Sequence, residues 1–274
     1  MTWVEEYLRE DVGDGDITTL ALIGGEVGAA RIRANENGVV AGLEQAMEVF
    51  RHLGLKVTPL ARDGEAVSAG ANILSVEGPL RSILTGERLA LNFLMRMSGI
   101  ATATSEVVNA CRERNPEIIV AATRKTTPGF RHFEKRAVVL GGGDPHRNRL
   151  DDAILIKDNH LAVVGSITEA VRRTRKASFT KKVEVEVENQ DEAEEAAKAG
   201  ADVILLDNMA PREAGRCAEA IRRIDRRIVV EASGGIAPEN APDFAEAVDV
   251  ISLGWLTHSA RAMQYSLDVL EIRG

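Results

Sequence analysis

The sequence predicts an α/β protein in two parts, an N-terminal α+β layer and a C-terminal barrel of alternating strands and helices. Residues 1–80 combine short strand-like runs with one amphipathic helical segment. From about residue 118, six short apolar strands alternate with helical segments. Their starts recur every roughly 20 to 35 residues, which is typical of βα units in a parallel sheet. Six units in series favour a closed or nearly closed barrel, and a doubly wound open sheet is the alternative.

The first part is expected to form a small antiparallel layer and then a long helix. In chain order its elements are strands within 28–42, a helix over 43–54, strands within 59–78 and a long helix over 79–99. Pro79 fits the first turn of the long helix and Gly99 fits its end. Its apolar stripe consists of Ile83, Leu84, Leu91, Leu94 and Met95. The predicted domains are therefore 1–103 and 104–274, and we leave open whether the last helix returns to the first domain.

The second part contains the six strands and the helices that connect them. The strands are EIIVAAT (117–123), DAILIK (152–157), KVEVEVE (182–188), ADVILLD (201–207), RIVVEAS (227–233) and VDVISL (248–253). The helices include ITEAVRRTRKA (167–177), QDEAEEAAKAG (190–200), PREAGRCAEAIRRI (211–224) and PENAPDFAEA (238–247). No low-complexity segment interrupts this succession.

Composition indicates a soluble globular protein of a reducing compartment. The 274 residues are 45% hydrophobic and 28% charged, with a net charge of −8, which argues against a general nucleic-acid surface. No apolar run approaches the roughly 18 residues that a membrane span needs, and the acidic first residues do not resemble a signal peptide. Cys111 and Cys217 cannot build a disulfide framework, so we expect two buried thiols and a cytoplasmic location.

Polar residues follow each of the six barrel strands. In parallel α/β barrels the carboxyl ends of the strands carry the chemistry, because the loops there converge. Six polar endings in series are difficult to explain as solvated loops alone. The endings are Thr123 to Thr126, Lys157 to His160, Glu186 with Glu188, Asp207 with Asn208, Ser233 to Gly235, and Ser252, Leu253 and Gly254.

The strand VEVEVE predicts carboxylates inside the barrel. Its alternation places Val183, Val185 and Val187 on one face and Glu184, Glu186 and Glu188 on the other. Because the outward face of a barrel strand packs on helices, the glutamates are expected to point into the lumen. Buried carboxylates need cations or a metal nearby. The alternative is an edge strand whose glutamates only face solvent.

A local excess of cations lies upstream of that strand. Between Thr123 and Lys157 there are eight lysines and arginines and four acidic residues, a net charge of +4 within a chain of −8. Arginine binds carboxylates and phosphates in bidentate fashion, and lysine supplies a compact charge. An exposed charged helix face explains Lys135 and Arg136 but not the cations at strand ends. The cluster therefore predicts a site for a polyanionic small molecule and a divalent metal.

Two glycine-bearing turns at the ends of the last two barrel strands are candidates for a phosphate site. Ser233-Gly234-Gly235 and Ser252-Leu253-Gly254 each lead towards a predicted helix, and backbone amides at such positions bind phosphate. The sequence lacks CxxC, HExxH, GxSxG, P-loop and GxGxxG motifs. Lys157 is the one candidate left for covalent chemistry, as a Schiff base.

Several motifs closely resemble the quinolinate phosphoribosyltransferase family. They occur in family order from about residue 10 to residue 260: GDGDITT, GERLALNFLMRMSGIAT, ATRKTTPGFRHFEKRAVVLGGGDPHR, LDDAILIKDNHL, VEVEVEN, VILLDNM, VEASGGI and ISLGWLTHSA. The resemblance implies an N-terminal open-faced α/β sandwich and a C-terminal incomplete barrel. It also implies a homodimer, with hexamers left open, in which the N-terminal domain of one subunit covers the barrel mouth of the other.

The implied reaction joins quinolinate to phosphoribosyl pyrophosphate with Mg²⁺ and yields nicotinate mononucleotide, CO₂ and pyrophosphate. The resemblance assigns quinolinate binding to Arg124, His146, Arg147, Lys157 and, from the neighbouring subunit, Arg88. It assigns the phosphoribosyl donor and its metal to Lys125, Glu186, Asp207, Ser233, Gly234, Gly235, Gly254 and His258. The expected catalytic group is Lys125, Lys157, Glu186 and Asp207, with the last two as metal ligands. Thr123, Ser252 and Leu253 complete the expected substrate contacts.

Three other functions stay open at this point. Lys157 could form a Schiff base in an aldolase-type lyase. A related phosphoribosyltransferase could act on nicotinate, which needs fewer cations because it has one carboxylate. A non-catalytic anion-binding module is the third, although pure anion binding gives no reason for Glu186 and Asp207 at the same mouth.

Overall fold

A computed structural model describes residues 2–273 of the chain, which divide into two compact units. Unit 1 comprises residues 1–103 together with 260–274, and unit 2 comprises residues 104–259. The first elements are α1 (Trp3–Val12), α2 (Ile17–Leu22), β1 (Val27–Ala34), β2 (Gly38–Val39), α3 (Leu43–His52), β3 (Lys56–Pro59), β4 (Ala66–Val67), β5 (Asn72–Pro79) and α4 (Leu80–Arg112). The next are β6 (Ile119–Ala121), α5 (Arg131–Leu140), β7 (Ile154–Ile156), α6 (Asp158–Val164), α7 (Ile167–Ala177), β8 (Val183–Val187) and α8 (Gln190–Ala199). The last are β9 (Val203–Asp207), α9 (Pro211–Ile224), β10 (Val229–Ser233), a 3₁₀ turn (Ala241–Phe244), β11 (Val250–Ser252), α10 (Trp255–His258) and β12 (Tyr265–Arg273).

Unit 1 is an antiparallel sheet of strand order β12-β1-β5-β3 with helices packed on it. The residues that return to this unit at the end of the chain form strand β12, not the helix considered from the sequence. Tyr265 pairs with Ala34, and Arg273 pairs with Val27. The physical reason is the edge of β1, whose free backbone groups β12 satisfies along its length.

The long helix α4 does not end at Gly99, as the sequence had suggested, but continues to Arg112. A Cβ added at Gly99 would lie 2.0 Å from the carbonyl oxygen of Arg261 and 2.9 Å from Cα of Ala262. This glycine therefore permits close backbone packing within unit 1 instead of ending a helix. Ile83, Leu91 and Leu94 of the predicted stripe are fully buried.

Unit 2 contains the six predicted parallel strands, in the order β6-β11-β10-β9-β8-β7. The last strand, β11, pairs with the first strand, β6, as it does in a closed barrel. Among the described residues, however, β6 and β7 do not pair, so the barrel is incomplete. From β7 to β11 each strand lies beside the next one in the chain, so the strand order never reverses. This order confirms the incomplete barrel and excludes the doubly wound sheet, whose strand order reverses at its centre.

The gap beside β6 is partly filled by the chain that follows α5. Asp144 forms a parallel bridge with Ala121, its N–H donates to the carbonyl of Val120 at 2.8 Å, and Ala122 N–H donates to its carbonyl at 2.9 Å. A single strand-like residue thus continues the sheet past β6. The residues that follow Asp144 consequently enter the lumen, where a barrel strand would otherwise run.

One predicted helix of unit 2 is largely absent. Of residues 238–247, only Ala241–Phe244 form a 3₁₀ turn. The side chain of Asn240 accepts the N–H of Ala237 at 2.8 Å, which competes with helical bonding, and Pro242 disfavours helix at the preceding residue. Across residues 2–273, no helix combines the length and the apolar character that a membrane span requires.

Candidate active site

A cavity of about 670 Å³ opens at the carboxyl ends of the barrel strands of unit 2. It is lined by residues at, or just after, the carboxyl ends of all six strands. The residues predicted from sequence that line it are Thr123, Arg124, Lys125, His146, Arg147, Lys157, Glu186, Asp207, Ser233, Gly234, Gly235, Ser252, Gly254 and His258. The structure therefore brings together in one place nearly all of the side chains that the sequence had nominated.

Leu253, Glu188 and Arg88 are among the nominated residues that do not line this cavity. Leu253 is fully buried and outside the cavity lining, and its backbone N–H donates to the carbonyl of Ala121 at 2.9 Å. Glu188 is exposed beyond the end of β8 and is not a lining residue. Arg88 belongs to unit 1, where it is exposed on α4.

Lys157 and Glu186 form an ion pair across the ends of the neighbouring strands β7 and β8. The ammonium group donates to Oε2 of Glu186, and the carboxylate is the more buried partner, with its side chain 12% exposed. A Schiff-base lysine has to present a free amine to its substrate, whereas Nζ of Lys157 is engaged with Glu186, so this pair gives the lyase no support.

The loop after β6 carries Arg124 and Lys125 into the cavity. Thr257, which is fully buried, donates its hydroxyl to the carbonyl of Lys125 at 2.7 Å, and Thr123 Oγ1 accepts the N–H of Lys125 at 3.1 Å. The Nε atom of Arg124 is buried and has no hydrogen-bond partner among residues 2–273. A buried donor without a partner costs about 1–3 kcal/mol. Arg124 lines the cavity, so this donor is a candidate partner for an anion bound there.

His146 and Arg147 follow Asp144 into the gap beside β6. The N–H of His146 donates to Oδ1 of Asp144 at 2.6 Å, and His146 has a left-handed backbone with φ of 52°. Its ring lies between two glutamates: Nε2 is 3.3 Å from Oε2 of Glu231 and 3.9 Å from Oε2 of Glu184. The two ring nitrogens of His146 are thus engaged within the protein, since Nδ1 accepts the N–H of Arg147 at 2.8 Å.

Glu184 and Glu231 are the acidic residues of the lumen beneath the cavity. They are 4% and 2% exposed, and Oε1 of each has no hydrogen-bond partner among the described residues. Burial and the charge of Glu231 raise the pKa of Glu184 to about 7. Burial alone would lower the pKa of His146, but its hydrogen bond to Glu231 and the charges of the two glutamates raise it overall. Protonation of Nδ1 would break the bond from Arg147, so this bond opposes the imidazolium form.

Glu231 was missed by the sequence reasoning. It precedes Ser233 by two residues on β10 and therefore points to the same face of the strand. The alternation that identified Glu184 and Glu186 would have identified Glu231 as well. It lines both the main cavity and a second cavity of about 420 Å³ at the amino ends of the strands.

Two arrangements of oxygen ligands could hold a metal ion. Glu186 lies near the end of β8 and Asp207 ends the adjacent strand β9, and both line the cavity. Two carboxylates suit Mg²⁺, which usually keeps water and binds substrate phosphates as well. His146, Glu184 and Glu231 have ligand atoms within 4.8 Å of one another, but a metal on Nε2 would require a proton on Nδ1, which accepts a hydrogen bond. The residues therefore fit Mg²⁺ at Glu186 and Asp207 better.

The glycine turns allow close approach of neighbouring groups. Gly234 and Gly235 have φ of 82° and 61°, and a Cβ at Gly234 would lie 2.5 Å from Oδ1 of Asn208. At Gly254 a Cβ would lie 2.9 Å from Cδ of Lys125. Only glycine fits these positions without displacing a lining residue. The helix expected after Gly235 is a turn, as described above.

The comparisons with known proteins cover nearly the whole chain. The family model for the quinolinate phosphoribosyl transferase N-terminal domain matches residues 16–98, and that for the C-terminal domain matches residues 100–268. The chain is 50% identical to a probable nicotinate-nucleotide pyrophosphorylase [carboxylating] of Methanothermobacter thermautotrophicus, covering 100% of this chain and 99% of the relative. It is 41% identical to the human nicotinate-nucleotide pyrophosphorylase [carboxylating], covering 96% and 89% of the two chains.

Solved structures give the same result. The crystal structure of NadC from Streptococcus pyogenes matches with a TM-score of 0.91 at 41% identity and covers 98% of this chain and 96% of that chain. The nicotinate-nucleotide pyrophosphorylase from Francisella tularensis matches with a TM-score of 0.91 at 37% identity, covering 97% and 94%. The chain therefore belongs to the quinolinate phosphoribosyltransferase family.

Proposed function

We propose that the protein transfers the phosphoribosyl group of phosphoribosyl pyrophosphate to quinolinate and releases CO₂ and pyrophosphate, giving nicotinate mononucleotide for NAD biosynthesis. The relatives' term "carboxylating" describes the reverse direction of this reaction. The observation that carries the proposal is the cavity itself, which four cations line together with carboxylates. One of the four, Arg124, has a buried donor that no atom of residues 2–273 accepts.

The charge of the cavity suits a dicarboxylate. Quinolinate has two carboxylates on adjacent ring carbons, and Arg124, Arg147 and Lys157 all line the cavity. Burial lowers the pKa of Arg147, and the charge of Arg124 lowers it further, whereas the nearby glutamates raise it. Two guanidinium groups close enough to repel each other gain from an anion between them. A substrate with a single carboxylate would use this charge less well.

The chemical step needs orientation and charge more than a covalent intermediate. The pyridine nitrogen forms a bond to C1 of the ribose while the bond from C1 to pyrophosphate breaks. Positive charge develops on the sugar, and the carboxylates of Glu186 and Asp207 would stabilise it either directly or through Mg²⁺. Lys125, whose backbone is hydrogen-bonded to Thr257 and Thr123, lines the cavity and is the proposed partner of the departing pyrophosphate.

Mg²⁺ supplies further positive charge to the pyrophosphate when it is bound, and Glu186 and Asp207 are the residues that would hold it. The turns at Gly234 and Gly254 line the cavity, where their backbones are candidates for contacts with the phosphate groups.

Decarboxylation follows from the cationic ring that the first step creates. The bond from the ring carbon to the 2-carboxylate breaks, its electron pair stays on that carbon beside the positive nitrogen, and a proton replaces the lost CO₂. The residues of the site hold the remaining carboxylate through this step. Arg147 and Arg124 are the groups best placed to do so.

The homodimer and the cytoplasmic setting are part of the proposal. Arg88 would reach the site from a second copy of the chain, and the support for this is the family resemblance of GERLALNFLMRMSGIAT. The two free thiols, Cys111 and Cys217, are buried and support a reducing compartment.

A coupled assay tests the function. Quinolinate and nicotinate are offered separately with phosphoribosyl pyrophosphate, with and without Mg²⁺, and CO₂ and pyrophosphate are measured. We expect quinolinate alone to release both products, in a Mg²⁺-dependent reaction. Turnover of nicotinate without CO₂ release would favour the nicotinate enzyme. Borohydride trapping of a substrate on Lys157 would favour the lyase, and no turnover of either acid would favour an anion-binding module.

A further inference from the structure

Lys135 is a buried lysine on helix α5, although the sequence had placed it on an exposed face with Arg136. It is 2% exposed, whereas Arg136 is exposed to solvent. Burial of an ammonium group is unfavourable by several kcal/mol unless it is hydrogen-bonded. Burial and the charges of Arg131 and Arg124 lower the pKa of Lys135 to about 8, while Asp144 opposes this. An apolar side chain would fill the same space at less cost.

The hydrogen bonds of Lys135 explain its position. Its ammonium group donates to the carbonyl oxygen of Pro145 and, at 3.0 Å, to that of Arg147. These two carbonyls bracket His146, whose backbone is left-handed. A left-handed conformation is unfavourable for a residue other than glycine unless the surroundings hold it. Lys135 and Asp144, which binds the N–H of His146, supply that restraint.

The neighbours of Lys135 on the same helix face contact the loop after β6, which carries Arg124 and Lys125. Arg131, Glu134 and Lys135 stand three and four residues apart, which places them on one face of α5. Glu134 accepts the N–H and the hydroxyl of Thr127, both at 3.0 Å. Arg131 donates to Oγ1 of Thr126 and to the carbonyl of Asn148, both at 2.9 Å.

This helix face therefore connects to both segments that supply the cations of the cavity. Thr126 and Thr127 follow Lys125 directly, and Asn148 follows Arg147. Of the contacts that this helix face makes, those of Lys135 lie closest to His146, because they are made to the residues on either side of it. The lysine itself is not among the residues that line the cavity.

We propose that Lys135 is a positioning residue for the pyridine dicarboxylate subsite, which holds the turn of residues 145–147 so that Arg147 and His146 keep their places in the cavity. It acts through the backbone of the turn and does not touch the substrate. The inference rests on the proposed function, because that function assigns the subsite to quinolinate.

The test compares Lys135→Met with Arg136→Met, the same substitution at the exposed neighbour. Lys135→Met keeps the volume and removes the donor. A displacement of Arg147 by about 1 Å is enough to change rates about 100-fold. We expect the KM for quinolinate to rise about 10- to 100-fold, the KM for phosphoribosyl pyrophosphate to stay within about threefold, and Arg136→Met to match the parent. Lys135→Arg should recover part of the loss.

Calorimetric titration of quinolinate and a crystal structure of Lys135→Met complete the test. We expect weakened binding of quinolinate and a turn at residues 145–147 that has lost the left-handed His146. If Lys135→Met does not fold, Lys135→Gln, which keeps a donor without the charge, takes its place. Equal loss for both substrates, or an unmoved turn with unchanged quinolinate binding, would overturn the proposal. Failure of the proposed function is separate: the parent protein would then not release CO₂ from quinolinate, whereas the position of the turn can still be measured.

Discussion

Arg124 should make the free protein less stable and the quinolinate complex more stable. Its Nε is buried without a hydrogen-bond partner among the described residues, and its charge lowers the pKa of both Arg147 and Lys135. Substitution by methionine keeps an apolar stem and removes the unbonded donor and the repulsion. The orphaned donor costs about 1–3 kcal/mol, part of which the lost contacts of the guanidinium offset. We therefore expect Arg124→Met to gain about 1 kcal/mol of unfolding free energy and about 2–4 °C in Tm.

The same substitution should severely weaken use of quinolinate. A charge-assisted hydrogen bond contributes about 1.5–3 kcal/mol. A guanidinium that binds a carboxylate in bidentate fashion makes two such hydrogen bonds. Loss of both corresponds to a decrease of about 10²- to 10⁴-fold in kcat/KM for quinolinate. The kcat/KM of Arg124→Lys for quinolinate should lie between those of the parent and of Arg124→Met, because lysine keeps the charge but cannot bind a carboxylate in bidentate fashion.

Urea unfolding and steady-state kinetics measure the two effects on the same preparations. Arg136→Met serves as the control, since Arg136 is an exposed arginine on α5 and should change neither quantity. A destabilised Arg124→Met protein whose kcat/KM for quinolinate lies within threefold of the parent would refute the reasoning. In that case the guanidinium would serve the fold and not the anion.

Three further predictions concern other parts of the site. Glu184→Gln should be more stable than the parent at pH 8, by on the order of 1–3 kcal/mol, and the difference should vanish near pH 4.5. The pKa of Glu184 is raised in the folded protein, so the stability that its protonated form contributes is complete below the pKa of the unfolded chain and is lost as the pH rises to about 7. Urea unfolding of both proteins across that pH range measures the difference. Gly234→Ala should raise the KM for phosphoribosyl pyrophosphate at least about 10-fold, because the added Cβ would lie 2.5 Å from Oδ1 of Asn208. Mixed subunits carrying Arg88→Ala and Lys157→Ala should recover activity that neither has alone, as measured by CO₂ release after exchange of subunits.

Each of these predictions has a control or a contradicting result. Glu246→Gln removes an exposed glutamate of unit 2 and should show no such pH-dependent gain. Gly200→Ala tests the effect of a positive φ alone, because Gly200 has φ of 87° and no atom within 4 Å of an added Cβ. Equal effects of Gly200→Ala and Gly234→Ala on the KM would contradict the steric argument. Inactive mixed subunits would contradict a shared site.

The barrel and its strand ends were predictable from sequence because they follow from local rules. Apolar strands at regular spacing predicted the six strands, and period-two alternation placed Glu184 and Glu186 on the inner face, where they lie. The same rule would have found Glu231 if it had been applied to β10. These features depend on neighbours in sequence and on one buried face, so a single chain is enough to predict them.

The turn with His146 and Arg147 could not be derived in this way. These residues belong to no strand or helix and enter the lumen through the gap beside β6. The excess of cations included Arg147, but only the family resemblance assigned the two residues to the substrate. Lys135 was misjudged for a related reason. Helical periodicity predicts that a lysine between polar neighbours is exposed to solvent. Here the backbone of the turn at residues 145–147 covers the side chain of Lys135 and accepts its hydrogen bonds.

Two errors in unit 1 also come from contacts distant in sequence. Gly99 resembles a helix end, yet its missing side chain serves close packing against Arg261 and Ala262, more than 160 residues away. The final strand β12 was considered as a helix because its partner, β1, lies near the opposite end of the chain. Neither contact leaves a signal in the local pattern.

A crystal structure of the protein with quinolinate tests the central claim most directly. We expect the ring in the cavity at the carboxyl ends of the strands, with its two carboxylates bonded to Arg124 Nε and to the guanidinium of Arg147. Quinolinate bound at another surface, or in the cavity with Arg124 Nε still unpartnered, would contradict the account.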